Sequence, residues 1–112
     1  MPTVFIISPD WNLRALVRAE LREAGVEALG MESADDAARE LAAGRQPSVV
    51  VLDGELAPAG LHNLARSVPV VIVASRVEPS RPLPSAVAVL YRPVSVKDVV
   101  AQVHLALQGH AA

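Results

Sequence analysis

At 112 residues, 52% of them hydrophobic and 20% charged, the chain is long enough for one core and too short for two, so a single domain over residues 1–112 is expected. The absence of cysteine excludes a disulfide scaffold, a thiolate metal site and a Cys nucleophile, and a net charge of −2 argues against nucleic-acid binding through this domain. No apolar run reaches membrane-spanning length and no cationic leader precedes Val4, which predicts a soluble, cytoplasmic protein with no membrane partner. The net charge is −5 over residues 1–56 and +3 over residues 57–112, which reads as ordinary surface variation or as a basic half that faces an acidic partner.

Val4-Phe5-Ile6-Ile7 is an unbroken β-favouring run, as expected of a strand buried on both faces. Leu13, Leu16, Val17, Leu21 and Ala24 recur at helical spacing, and Gly25 stands where a helix ends. Val26–Met31 predicts a second, weaker strand. Ser33 with Asp36 has capping-box spacing and opens a helix striped by Ala37, Ala38, Leu41 and Ala42, ended by Gly44. Val49-Val50-Val51-Leu52 is a buried-type strand that ends at Asp53. Residues 56–60 read as a loop, and Leu61, Leu64 and Ala65 leave room for about two helical turns before Pro69. Val70-Val71-Ile72-Val73 is another buried-type strand. Pro79, Pro82 and Pro84 disfavour a regular helix over residues 76–85. Val87–Tyr91 predicts the last strand, followed by Arg92-Pro93. Ser95 with Asp98 repeats the capping spacing, and Val96, Val99, Val100, Val103 and Leu107 stripe the last helix up to Gly109.

Strands alternating with helices predict an α/β domain, a parallel sheet covered on both faces. Ligands of such sheets bind beyond the carboxyl ends of the strands, which directs attention to Ser8-Pro9-Asp10, Asp53, Ala74-Ser75 and Arg92-Pro93.

The segments Val-Phe-Ile-Ile-Ser-Pro-Asp-Trp-Asn-Leu-Arg (4–14), Val-Val-Val-Leu-Asp (49–53), Pro-Val-Val-Ile-Val-Ala-Ser (69–75) and Tyr-Arg-Pro-Val (91–94) together resemble the response-regulator receiver domains of two-component signalling, over roughly residues 3–108. The resemblance implies a doubly wound, five-stranded parallel sheet of order 2-1-3-4-5, the flavodoxin-like receiver fold. It also implies a phosphoryl-accepting carboxylate at Asp53. In that family Mg²⁺ is held by an acidic pair after the first strand, by the acceptor Asp and by a backbone carbonyl, here that of Glu55. A hydroxyl after the fourth strand and a Lys after the fifth hold the phosphoryl group.

The chain departs from this pattern. The acidic pair falls on Ser8 and Pro9, so Mg²⁺ is not expected and no cofactor is implied. Asp10 comes one position late and reads as a cap for the first helix or as a displaced ligand. The hydroxyl position falls on Ala74, with Ser75 next to it on the opposite strand face. The Lys position falls on Arg92, a planar fork in place of a point charge. Pro93 keeps the family's Lys-Pro site, whose bond is typically cis. The family's aromatic switch position falls on Val89, with Tyr91 displaced by two. The third helix is short and the fourth is reduced or absent.

Asp53 therefore reads either as a retained phosphoacceptor or as a carboxylate paired with Arg92, and the scarcity of neutralising groups favours the pair. Ser8, Asp10, Asp53, Ser75 and Arg92 form the expected vestigial pocket. Trp11 reads as a partner anchor or as a ring covering the start of the first helix. His62, His104 and His110 lack metal spacing. The function expected is a degenerate, non-enzymatic receiver-like module that works by protein–protein contact. Its partners would be signalling proteins, a histidine kinase or another domain of a larger regulator among them. The alternatives are a true phosphoacceptor modified by a histidine kinase and a small-molecule module using the strand-end crevice. A homodimer through Val96, Val99, Val103 and Leu107 is also expected if that stripe is only partly covered.

Overall fold

Val4, Phe5, Ile6 and Ile7 lie in the interior of the sheet, paired on one side with Ala28–Met31 and on the other with Val49–Leu52. The computed structural model describes residues 2–53, 68–74 and 86–109 of the chain. In chain order these form β1 (Thr3–Ile7), α1 (Trp11–Glu23), β2 (Glu27–Met31), α2 (Ala34–Ala42), β3 (Val49–Asp53), β4 (Val70–Ala74), β5 (Ala86–Tyr91) and α3 (Val96–Gly109). All five strands are parallel, in the order β2-β1-β3-β4-β5. The segments read as a short third helix (residues 61–65) and as a Pro-rich replacement for a fourth (76–85) lie outside the described residues.

The unbroken apolar runs follow from burial on both faces, since a strand presents alternate residues to opposite layers. Val4, Ile6, Val49, Val51, Val71 and Val73 point to the face covered by α1 and α3, where they meet Leu13, Val17, Leu21, Val99 and Val103. Phe5, Ile7, Val50, Leu52 and Val70 point to the face that carries α2, where Ala37 packs. The α1 stripe is narrower than the sequence implies: Leu13, Val17 and Leu21 are buried, and Leu16 is exposed because it lies off their four-residue row.

Helix ends follow local chemistry. Asp10 caps α1, its Oδ1 accepting from the N–H groups of Asn12 and Leu13. Ser33 accepts from Asp36 N–H at the start of α2, and Ser95 accepts from Asp98 N–H at the start of α3. Gly25 and Gly44, at φ +84° and +93°, take the left-handed conformation that ends α1 and α2. Among the described residues no helix is long and apolar enough to cross a membrane.

Candidate functional site at the strand ends

The parallel order brings the carboxyl ends of β1, β3 and β5 to one edge of the domain. Ser8 follows β1 directly, and its N–H donates to Met31 C=O at 2.9 Å. Asp53 is the last residue of β3, in register with Val73. Arg92 follows β5, and its N–H donates to Ala74 C=O at 2.8 Å, which anchors the guanidinium's base beside β4.

These placements converge on one carboxylate oxygen. Asp53 Oδ2 accepts from Ser8 Oγ at 2.9 Å and from Arg92 Nη2 at 2.9 Å. Ser8 and Asp53 are the two buried polar residues among those described, 1% and 2% exposed. A carboxylate removed from water is tolerable only with a counter-charge and hydrogen bonds, and here it has both. Ser8 is used twice, because its Oγ also accepts from Asp10 N–H at 3.0 Å. Arg92 Nη2 is 3.9 Å from Asp10 Oδ2, so one guanidinium nitrogen stands between two carboxylates. Arg14, one turn into α1, donates from Nη1 to Ser8 C=O at 2.7 Å and fixes the β1–α1 turn from above.

The sequence-derived pocket is thus assembled from Ser8, Asp10, Asp53 and Arg92, with Asp10 serving both as helix cap and as the outer carboxylate. Ser75, Glu55, His62 and His110 lie outside the described residues. The Arg92–Pro93 peptide bond is cis. Val89 and Tyr91 are exposed on β5, and Trp11 is 69% exposed beside the α1 cap. The expected interaction stripe on α3 is corrected. Val99 and Val103 are fully buried against the sheet and α1, and Val96 and Leu107 pack on the same cluster, so this face is core. Arg14 was missed because nothing in its spacing from Ser8 marks a contact that only the turn geometry creates.

The resemblance implies Mg²⁺, and the donors among the described residues do not form a site for it. Among the described residues no three His, Cys, Asp or Glu side chains converge. Mg²⁺ demands several oxygens in octahedral array. Here Oδ2 of the one buried carboxylate is engaged by a hydroxyl and a guanidinium, and Asp10 Oδ1 is spent on the α1 cap.

No protein-family model and no curated protein sequence matches the chain. Solved structures do match in shape. A response regulator receiver protein from Burkholderia phymatum superposes with a TM-score of 0.76 at 23% identity, over 96% of this chain and 95% of that one. A response regulator receiver domain protein from Methanospirillum hungatei superposes with a TM-score of 0.80 at 15% identity, over 96% and 94%. A response regulator from Thermotoga maritima superposes with a TM-score of 0.75 at 18% identity, over 97% and 99%. Together with the strand order and the placement of Asp53, these likenesses show that the chain has the fold of the response-regulator receiver domains.

Proposed function

We propose that the domain acts in signal transduction as a non-enzymatic, phosphorylation-independent receiver-like module that works by contact with signalling proteins, a histidine kinase or another domain of a larger regulator among them. One observation carries this reading: Asp53 Oδ2 is held at 2.9 Å by both Ser8 Oγ and Arg92 Nη2. Phosphoryl transfer to a carboxylate needs the incoming anion and the acceptor to be neutralised together, and a metal is the usual means. Here the counter-charge belongs to the protein, a guanidinium already hydrogen-bonded to the acceptor. The counter-charge is therefore built into the fold, which suits a fixed interaction surface better than a switch.

The test is to incubate the protein with Mg²⁺ and acetyl phosphate, or with Mg²⁺ and beryllofluoride, and to record intact mass and amide NMR spectra. The expected result is no phosphoryl adduct and no amide shifts around Asp53. A phosphoryl mass gain that Asp53→Asn abolishes overturns the reading in favour of a true phosphoacceptor.

A further inference from the structure

The open edge of β2 carries features that the strand-end site does not use. Glu27 N–H donates to Pro2 C=O, and Met31 C=O accepts from Ser8 N–H, so both residues turn their backbone groups toward β1. Alternation along the strand then turns those of Ala28 and Gly30 to the open side. Arg18 marks that side directly, since its Nε donates to Ala28 C=O at 3.2 Å. Gly30 is exposed and has no side chain to shield its backbone. An edge of this kind can accept another strand.

The α1 side of this edge is basic, whereas the α2 side of the larger groove is mixed, with Asp36, Arg39 and Glu40, of which Arg39 pairs with Asp36. Arg14, Arg18 and Arg22 follow one another at four-residue spacing on α1 and so share one side of it. Two adjoining grooves of about 730 and 350 Å³ run along β2, and Arg18 and Leu29 line both. Arg14 is held by Ser8 C=O and stands 3.8 Å from Glu32 Oε1. Arg18 and Arg22 have no ion-pair partner among the described residues. Four helical residues rise about 6 Å, and two strand residues rise roughly 6.6 Å. Alternate side chains of an added strand therefore keep step with the arginine row.

We propose that this edge docks an extended, acidic segment of a partner protein, which adds to β2 as a further strand with every second residue acidic and facing Arg18 and Arg22. Arg18 then leaves Ala28 C=O to the incoming backbone and pairs with an incoming carboxylate. A nucleic acid would meet the same charges but has no alternating N–H and C=O groups for Ala28 and Gly30. The inference rests on the reading of the domain as an interaction module, but not on the state of Asp53. Failure of peptide binding overturns the docking surface alone, whereas phosphorylation of Asp53 overturns the reading beneath it.

The probe is a labelled seven-residue peptide of alternating Glu and Thr. Its binding is followed by anisotropy and by emission of Trp11, which is the sole tryptophan and lines the larger groove. Saturable binding is expected, weakened about tenfold or more by Arg18→Glu combined with Arg22→Glu. Gly30→Pro should weaken it similarly, because it removes the outward N–H and proline is tolerated on an edge where that group faces solvent. Should Gly30→Pro fail to fold, the same peptide methylated on alternate backbone nitrogens makes the test, and it should not bind. Three results each overturn the proposal: no binding at millimolar peptide, binding indifferent to backbone methylation, or equal binding of polyphosphate or single-stranded nucleic acid.

Discussion

Arg92 Nη2 lies 2.9 Å from Asp53 Oδ2, and the two residues differ sharply in burial: the carboxylate side chain is 2% exposed and the guanidinium 27%. The pair is therefore asymmetric. Removing the arginine takes a counter-charge from a carboxylate that is almost fully buried, whereas removing the carboxylate's charge leaves a cation with partial access to water and with Asp10 nearby. Arg92→Ala should cost about 3 kcal/mol, the low end for breaking a buried pair. Asp53→Asn should cost less, since an amide oxygen still accepts from Ser8 and Arg92. In urea melts of the two variants and their combination, the double variant should be no less stable than Arg92→Ala alone. A double variant that simply sums the two losses would show that the pair is not coupled.

Ser8 is the hinge between the buried carboxylate and the first helix. Its hydroxyl donates to Asp53 and accepts from Asp10 N–H, and the residue is buried. Ser8→Ala should cost about 1–3 kcal/mol, because a buried carboxylate loses a donor and a backbone N–H loses an acceptor. Ser8→Asp places a second carboxylate within reach of Asp53 Oδ2 and should destabilise more through like-charge repulsion. Thermal melts of both variants decide the order.

Asp10 reads as a cap from sequence and is one, which allows its two roles to be separated. Asp10→Asn retains an oxygen for the N–H groups of Asn12 and Leu13 but removes the charge 3.9 Å from Arg92. It should change stability by less than about 1 kcal/mol, as expected of a loose, partly exposed charge contact. Asp10→Ala removes the cap as well and should cost about 1 kcal/mol more. Equal losses in the two variants would assign the whole effect to the charge.

The strands were legible because Val4–Ile7, Val49–Leu52 and Val70–Val73 are unbroken apolar runs rich in β-branched residues, a pattern that burial on both faces requires. Strand order came from the resemblance, whereas the strand-end location of Asp53 and Arg92 follows from the apolar runs that stop just before them. What stayed hidden were contacts made by turns: Arg14 on Ser8 C=O and Arg18 on Ala28 C=O join residues six and ten apart, across geometry that no spacing encodes. The α3 stripe illustrates a second limit. Helical periodicity shows which side of α3 is apolar, but only packing shows that α1 and the sheet already cover it.

That packing predicts opposite outcomes on neighbouring residues of α3. Val103 is fully buried between the sheet and α1, and Val103→Ala should cost about 2 kcal/mol through lost contacts and a residual cavity. Leu105 is 58% exposed, and Leu105→Ala should stay within about 0.5 kcal/mol of the parent. Val103→Asp should unfold the domain instead of dispersing an oligomer. Light scattering together with circular dichroism separates these outcomes, and a folded Val103→Asp monomer derived from an oligomeric parent would return the stripe to the surface.

The two helix-ending glycines give a prediction free of packing effects. Gly25 and Gly44 take φ of +84° and +93°, and a Cβ built on either meets nothing within 4 Å. Alanine at these positions loses stability only through the strain of the left-handed conformation, about 1–2 kcal/mol at each site. Gly109 lies in α3 without a positive φ and also with open space around its Cβ position, so alanine there should be neutral or slightly stabilising. Because Gly25 and Gly44 end different helices, the double substitution to alanine should lose the sum of the single losses. Chemical denaturation of the four variants tests this, and a loss at Gly109 equal to that at Gly25 would rule out backbone strain as the cause.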